Sequence, residues 1–143
     1  MNPVVDNLVR DGILEIVPVD ATAARQILEV AARHVDAARL IIEVDRSGAY
    51  VLCNDAARKA IAGILLASGY RALAVPGSHA AIARAAGSMS SDPNEVARLV
   101  QLDGMRRHRN RSEYGIRTFS AQEAEAAIEL ASWTMGFARG VIR

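Results

Sequence analysis

The segment 106–114 concentrates the side chains of this chain that are best suited to binding an anion. It reads Arg-Arg-His-Arg-Asn-Arg-Ser-Glu-Tyr, in a chain of 143 residues whose net charge is only +1. A guanidinium group can hold a phosphate through two parallel hydrogen bonds, so clustered arginines create an electropositive site that the chain as a whole lacks. The predicted phosphate-binding side chains of this segment are Arg106, Arg107, Arg109 and Arg111.

A solvated basic helix end is the alternative interpretation of the same segment. Arginines near a helix C-terminus complement the negative pole of the helix dipole. Exposed ion pairs with nearby acids add little to stability. Under this interpretation the arginines point apart into solvent and bind no specific ligand.

The helix that carries these arginines is predicted to start at a strong signal. Asp92 suits the N-cap, Pro93 the first helical position, and Glu95 the reciprocal position of a capping box. Gly115 suits a C-terminal stop. The sequence therefore predicts a helix from 93 to about 113.

Projected at about 100° per residue, this helix continues its apolar face into polar residues. Asp103 and Arg107 lie one turn apart in the orientation that favours an ion pair, so Asp103 is predicted to support Arg107. Arg109 falls on the flank and is predicted to point to a different surface. The face comprises Val96, Leu99, Val100, Asp103, Arg107, Asn110 and Tyr114.

Composition and periodicity predict the elements that position this helix. Hydrophobic residues make up 51% of the chain and aromatic residues only 4%, and abundant alanine favours closely packed helices. We predict a single all-α domain over 1–143, an up-and-down bundle of about five helices with an N-terminal arm at 1–19. The other predicted helices run from Asp20 or Thr22 to a break at Ser47-Gly48, over 49–68, from Ser78 to 86, and from a capping box at Ser120 and Glu123 to about Arg139.

The predicted helix over 49–68 is apolar on nearly every side except at one turn. Such a helix lies at the centre of a bundle or is covered by a partner subunit, and a polar turn within it requires partners of its own. Asp55 and Lys59 have the spacing of an ion pair. The polar residues of the turn are Asn54, Asp55, Arg58 and Lys59.

Two segments carry a resemblance to a known family. They are Ala-Tyr-Val-Leu-Cys-Asn-Asp-Ala-Ala-Arg-Lys-Ala at 49–60 and Leu-Asp-Gly-Met-Arg-Arg-His-Arg-Asn-Arg-Ser-Glu-Tyr at 102–114, followed by a last helix rich in Ala and Glu. Over about residues 20–139 the chain resembles the HEPN domain (higher eukaryotes and prokaryotes nucleotide-binding), in particular its small single-domain bacterial members. The resemblance implies a helical bundle that forms a homodimer, with the two arginine motifs meeting at a cleft between the subunits. It also places Asn54 and Lys59 at that cleft, with Asp55 supporting them.

The same resemblance implies a ligand and a partner. Many members of the family are similar to toxins that cut RNA without a metal, and they are often neutralised by a minimal nucleotidyltransferase. We therefore expect RNA or a nucleotide as ligand, no cofactor, a homodimer, and a nucleotidyltransferase as partner in a system of the toxin-antitoxin type.

The chain departs from the family motif at Tyr114. In the family an Arg is followed by a polar residue and, four to six positions after the Arg, by a His that can exchange a proton with the ribose or the leaving oxygen. Matching Arg109 and Asn110 to the motif places Tyr114 at the His position, and only about one tyrosine in a thousand is ionised at pH 7. A register that starts at Arg107 places Ser112 there and Tyr114 two residues later, where some relatives carry a tyrosine that the partner modifies with AMP.

Two functions from different classes follow from these residues. The favoured one, because the motif His is missing, is a non-catalytic HEPN-like dimer that binds RNA or a nucleotide. The other is a metal-independent endoribonuclease in which Arg109, Asn110 and Tyr114 are catalytic, with His108 as a substitute acid or base. A purely structural helical dimer is the third interpretation. Of the remaining histidines, His34 is expected in the core or an interface and His79 at the surface.

The location and the absence of a metal are also predicted from residue types. Cys53 is the single cysteine and lies in an apolar helix, so a reducing cytoplasm is expected. No apolar run of about 18 residues and no signal peptide is seen, so no membrane contact is expected. No His, Cys or carboxylate pair has the spacing of metal ligands, so no metal is expected.

Overall fold

The computed structural model of the chain describes residues 2–113 and 118–142, and within them six helices and two short strands. The predicted residue Tyr114 therefore lies outside the described residues. In chain order the elements are α1 (Pro3–Arg10), β1 (Leu14–Ile16), α2 (Ala21–Ile41), α3 (Arg46–Ala67), β2 (Tyr70–Ala72), α4 (Ser78–Gly87), α5 (Pro93–Glu113) and α6 (Ala121–Val141).

The prediction of a mostly helical chain is confirmed, but the prediction of an N-terminal arm at 1–19 is wrong. Asn2 caps α1 by accepting a hydrogen bond from the backbone N–H of Val5, and the segment after α1 forms β1. This strand pairs antiparallel with β2, with Leu14 opposite Ala72 and Ile16 opposite Tyr70. The segment is short and rich in β-branched residues, but its partner is far away along the chain, so local pattern could not establish the strand.

The predicted helix break at Ser47-Gly48 is also wrong. The break lies earlier, since α2 ends at Ile41 and Asp45 caps α3 by accepting a hydrogen bond of 2.8 Å from the backbone N–H of Gly48. Aspartate is among the strongest N-cap residues, so it places Ser47 and Gly48 inside the first turn of the helix.

The predicted caps of the other long helices are present. The Asp20 side chain accepts a hydrogen bond from the Ala23 N–H at the start of α2. Ser120 and Glu123 form a reciprocal capping box at the start of α6. At α5, Pro93 is the first residue and Asp92 accepts a hydrogen bond from the Asn94 N–H. The predicted reciprocal contact of Glu95 is absent, because Glu95 accepts from Ser90 Oγ and the Asp92 N–H donates to Ser90 Oγ.

Helix α3 is central, packing against α2, α4, α5, α6 and β2. Alanine side chains line the contacts of α3 with its neighbours. Because these side chains are small, the helix axes can approach closely. Fully buried alanines occur on α3 itself and on its long partners α2 and α6, including Ala31, Ala38, Ala56, Ala60, Ala131 and Ala138. None of the described helices is long and apolar enough to cross a membrane.

Candidate anion-binding pocket

A pocket of about 440 Å³ opens where α2, α3, α4 and α5 meet, and it contains much of the predicted site. Its apolar part is formed by Val51, Leu52, Ala57, Ile61, Ile82, Ala83 and Leu102. Its polar part is formed by His34, Asn54, Asp55, Arg58, His79, Asp103, Arg106, Arg109 and Asn110.

The orientation of α5 decides which arginines reach this pocket. Leu99, Leu102 and Met105 are buried, whereas Val100 is 64% exposed. The buried stripe of α5 therefore runs through positions 99, 102 and 105. Positions 106, 109 and 110 lie about one turn further along the helix and face the pocket. The prediction that this stripe includes Val100 and continues to Arg107 is wrong.

The arginines of α5 separate into two groups. Arg106 and Arg109 line the pocket with Asn110. The Arg107 side chain is 60% exposed and, like the exposed Arg111, is not among the pocket-lining residues. The predicted divergence of Arg107 and Arg109 is therefore present, with Arg109 on the pocket side.

Asp103 holds two of these arginines. Arg106 donates from Nε and Nη2 to the Asp103 Oδ1 atom at 3.0 and 2.9 Å. The predicted ion pair with Arg107 is also present, with 3.3 Å between Arg107 Nε and Asp103 Oδ2. Asp103 thus restricts the position of the Arg106 guanidinium at the wall of the pocket.

On α3, Asp55 joins three side chains into a small network. It accepts hydrogen bonds from Arg58 and Lys59, so the predicted pair with Lys59 is present, and its Oδ2 lies 3.2 Å from His34 Nε2. Burial raises the pKa of Asp55, but hydrogen bonds and charges from Lys59 and Arg58 outweigh it, so the net shift is below the ordinary value. Asn54 lines this pocket within one chain, whereas Lys59 is not among its lining residues, and the cleft between subunits at which both were expected stays a prediction.

Two histidines lie at this pocket, and the sequence did not assign either to it. His34 was expected in the core or an interface; its side chain is 29% exposed, so it lies outside the core, and it contacts Asp55. His79 is exposed, as expected, but lies in the first turn of α4 at the pocket. The available signal in the sequence was the polar turn around Asp55, because polar side chains within an apolar helix need partners. That signal could not identify His34 and His79, because these histidines belong to other helices.

His108 lies away from the pocket, between α5 and α6. Its side chain is 13% exposed, and its Nδ1 lies 3.1 Å from Glu123 Oε2. Its ring centroid is 4.5 Å from that of Phe119 and 5.2 Å from that of Tyr50. Nε2 is buried and makes no hydrogen bond with the described residues. This packing supports a structural contact rather than the predicted role as substitute acid or base.

The charges at the pocket leave a small positive excess. Three arginines, Arg58, Arg106 and Arg109, face two aspartates, Asp55 and Asp103, which gives +3 − 2 = +1 with neutral histidines. A positive wall of this kind favours an anion, and Asp55 and Asp103 hold the guanidinium groups of Arg58 and Arg106 in position. Across the residues that the structure describes, no three His, Cys, Asp or Glu side chains are grouped as metal ligands.

Comparison of the chain with protein-family models, with curated proteins and with solved structures gives no significant match.

Proposed function

We propose that this chain is a HEPN-like domain that binds RNA or a nucleotide through phosphate contacts in the pocket between α2, α3, α4 and α5. One observation carries the proposal. Arg106, Arg109 and Asn110 of α5 converge with Asn54 and Arg58 of α3 on a single concave surface. Arginine forks match the geometry of phosphate oxygens, and asparagine amides supply both donors and acceptors beside them.

The arrangement around Asp103 also supports phosphate binding. A long arginine side chain loses rotamer freedom when it binds, and this loss reduces the affinity. The two hydrogen bonds from Arg106 to Asp103 restrict that side chain in advance. The exposed basic residues Arg107 and Arg111 lie outside the pocket and extend the positive surface along α5.

The proposal includes a second copy of the chain and a partner protein. In this proposal two copies bring their α5 helices to a shared cleft, and a minimal nucleotidyltransferase regulates the dimer within a system of the toxin-antitoxin type. The support is the likeness of the 49–60 and 102–114 segments to HEPN sequences.

A metal-independent ribonuclease is a second candidate, and the histidines at the pocket favour it. The sequence offered Arg109, Asn110 and Tyr114 as catalytic residues, with His108 as a substitute acid or base, and His108 lies away from the pocket. His34 and His79 now accompany Arg109 at one pocket, and imidazole is the commonest general acid or base in enzymes. Cleavage of RNA in the presence of EDTA, lost in His34→Gln or His79→Gln, would establish this candidate.

Binding of a fluorescent single-stranded RNA, followed by anisotropy at several salt concentrations, tests the proposed function. Loss of a charge-assisted contact is worth about 1.5–3 kcal/mol, so we expect Arg109→Ala to weaken binding about 10- to 100-fold. The salt dependence of binding should also become shallower, because fewer counterions are released.

Arg25→Ala is the matched control, because Arg25 is an exposed arginine of α2 whose side chain contacts Thr22 and does not line the pocket. It should bind like the wild type. If Arg109→Ala and Arg106→Ala also bind like the wild type, the solvated helix end or the purely structural dimer describes the protein better.

A further inference from the structure

We propose that the pocket accepts one nucleotide as a unit, with its base on the apolar floor and its phosphate at the arginines. The ligand is then a nucleoside monophosphate, either free or at the end of an RNA chain, rather than an internal tract of RNA. This inference rests on the proposed function and specifies the ligand of the same site.

The size and lining of the pocket support a single nucleotide. Its volume of about 440 Å³ is in the range of small-molecule sites, roughly 300–1,000 Å³. The floor includes Ile61, Ile82 and Leu102, which are at most 8% exposed, so it is apolar and packed from behind by the core. A phosphate alone would leave this floor uncovered.

The polar groups are of the kinds that each end of a nucleotide requires. Arg106 and Arg109 suit a phosphate, because a guanidinium fork matches phosphate oxygens. Asn54 and Asn110 each offer a carbonyl acceptor and an amide donor, which is the combination that reads the edge of a base. A base packed on aliphatic side chains and hydrogen-bonded at its edge uses both parts of the lining.

The positions of the aromatic residues argue independently against an extended RNA tract as the ligand of this pocket. Proteins that hold several nucleotides of a single strand stack successive bases on aromatic side chains. No Phe, Tyr or Trp is found among the described residues that line the pocket. Tyr50 and Phe119 instead stack on each other with centroids 4.0 Å apart, and Trp133 stacks on Phe137.

Calorimetric titration of the full chain with a ligand series tests this inference. The series comprises the four nucleoside 5′-monophosphates, ribose 5-phosphate, and a ten-nucleotide RNA with or without a terminal phosphate. Burying a base on the apolar floor should make at least one nucleotide bind about tenfold more tightly than ribose 5-phosphate.

Two variants locate the base. Val51 lines the pocket and is 38% exposed, so Val51→Asn leaves the core intact. It should weaken nucleotide binding about threefold or more and leave binding of ribose 5-phosphate unchanged. Val100→Asn is the control, because Val100 is 64% exposed and does not line this pocket.

The two RNA ligands of the titration series show whether the bound nucleotide is free or belongs to an RNA end. Tightest binding by the free nucleotide indicates a free mononucleotide, and tightest binding by the end-phosphorylated RNA indicates an RNA end. If RNA without a terminal phosphate binds most tightly, or ribose 5-phosphate equals the nucleotides, the inference is wrong while the proposed function stands. If no phosphate compound binds, the proposed function itself fails.

Discussion

Replacement of Asp55 by asparagine should affect stability and ligand binding in opposite directions. Asp55 is the common partner of Arg58, Lys59 and His34, and its side chain is 32% exposed. Ion pairs that are open to solvent contribute about 0.2–1 kcal/mol each. Asparagine keeps the shape and one acceptor, so the loss of the charge should lower the free energy of unfolding by about 1–2 kcal/mol.

The pH dependence identifies the charge of Asp55 as the cause of this loss. Because the pKa of Asp55 is lowered in the folded protein, its stabilising contribution is present above the pKa of the unfolded chain, about 4. The contribution is lost as the pH falls through the lower, folded value. The difference in stability between wild type and Asp55→Asn should therefore be present at pH 5 and shrink below about pH 4.

Ligand binding should change in the other direction. The substitution raises the pocket charge from +1 to +2, counted over the same lining residues. RNA or nucleotide should then bind more tightly at low salt, and the gain should fade as salt screens the charge.

Urea denaturation gives the stability, and Asp36→Asn provides the matched control. Asp36 is 73% exposed and pairs with Arg39 at 3.4 Å, so its loss should cost at most about 0.5 kcal/mol. Asp55 does not have this stabilising role if Asp55→Asn is as stable as Asp36→Asn at pH 7, or if the deficit of Asp55→Asn persists unchanged below pH 4.

Two further predictions concern positions outside the pocket. Burial raises the pKa of Cys53 to about 12, with Arg39 opposing this only in part, so the folded thiol should resist a thiol reagent at pH 8 and react once urea unfolds the chain. The same shift makes stability fall as the pH rises above about 9, where only the unfolded thiol ionises, as urea midpoints will show. Ser120→Ala removes the capping box of α6 and should lower the free energy of unfolding by about 1 kcal/mol, whereas Ser91→Ala, at an exposed position outside the helices, should not.

The parts of the fold that sequence predicted are those whose signals are local. Ser120 and Glu123, or Asp92 and Pro93, mark a helix start within a few residues of it, and the structure has helices beginning there. The pairing of Leu14 with Ala72 depends on a segment more than fifty residues away. No local pattern contains that information, so the strand pair was missed.

The candidate site divides in the same way. Asp103 pairs with Arg107 because both lie on one helix, and spacing alone predicted it. The phase of the buried stripe on α5 was misjudged, because Val100 is apolar yet exposed. His34 and His79 reach the pocket from α2 and α4, so their positions depend on how the helices pack. The binding roles of all these residues stay predictions.

The contact between α1 and α4 has a consequence for how the pocket forms. The Asn2 side chain donates a hydrogen bond of 2.9 Å to Ser88 Oγ, at a sequence separation of 86 residues. This hydrogen bond therefore closes a large loop of the chain, and contacts of this kind slow folding because loop closure costs entropy. Helix α4 carries His79 and Ile82 at the pocket, and its outer side packs on α1. One wall of the pocket is therefore braced by the beginning of the chain, so a segment that contributes no side chain to the site helps to set its shape.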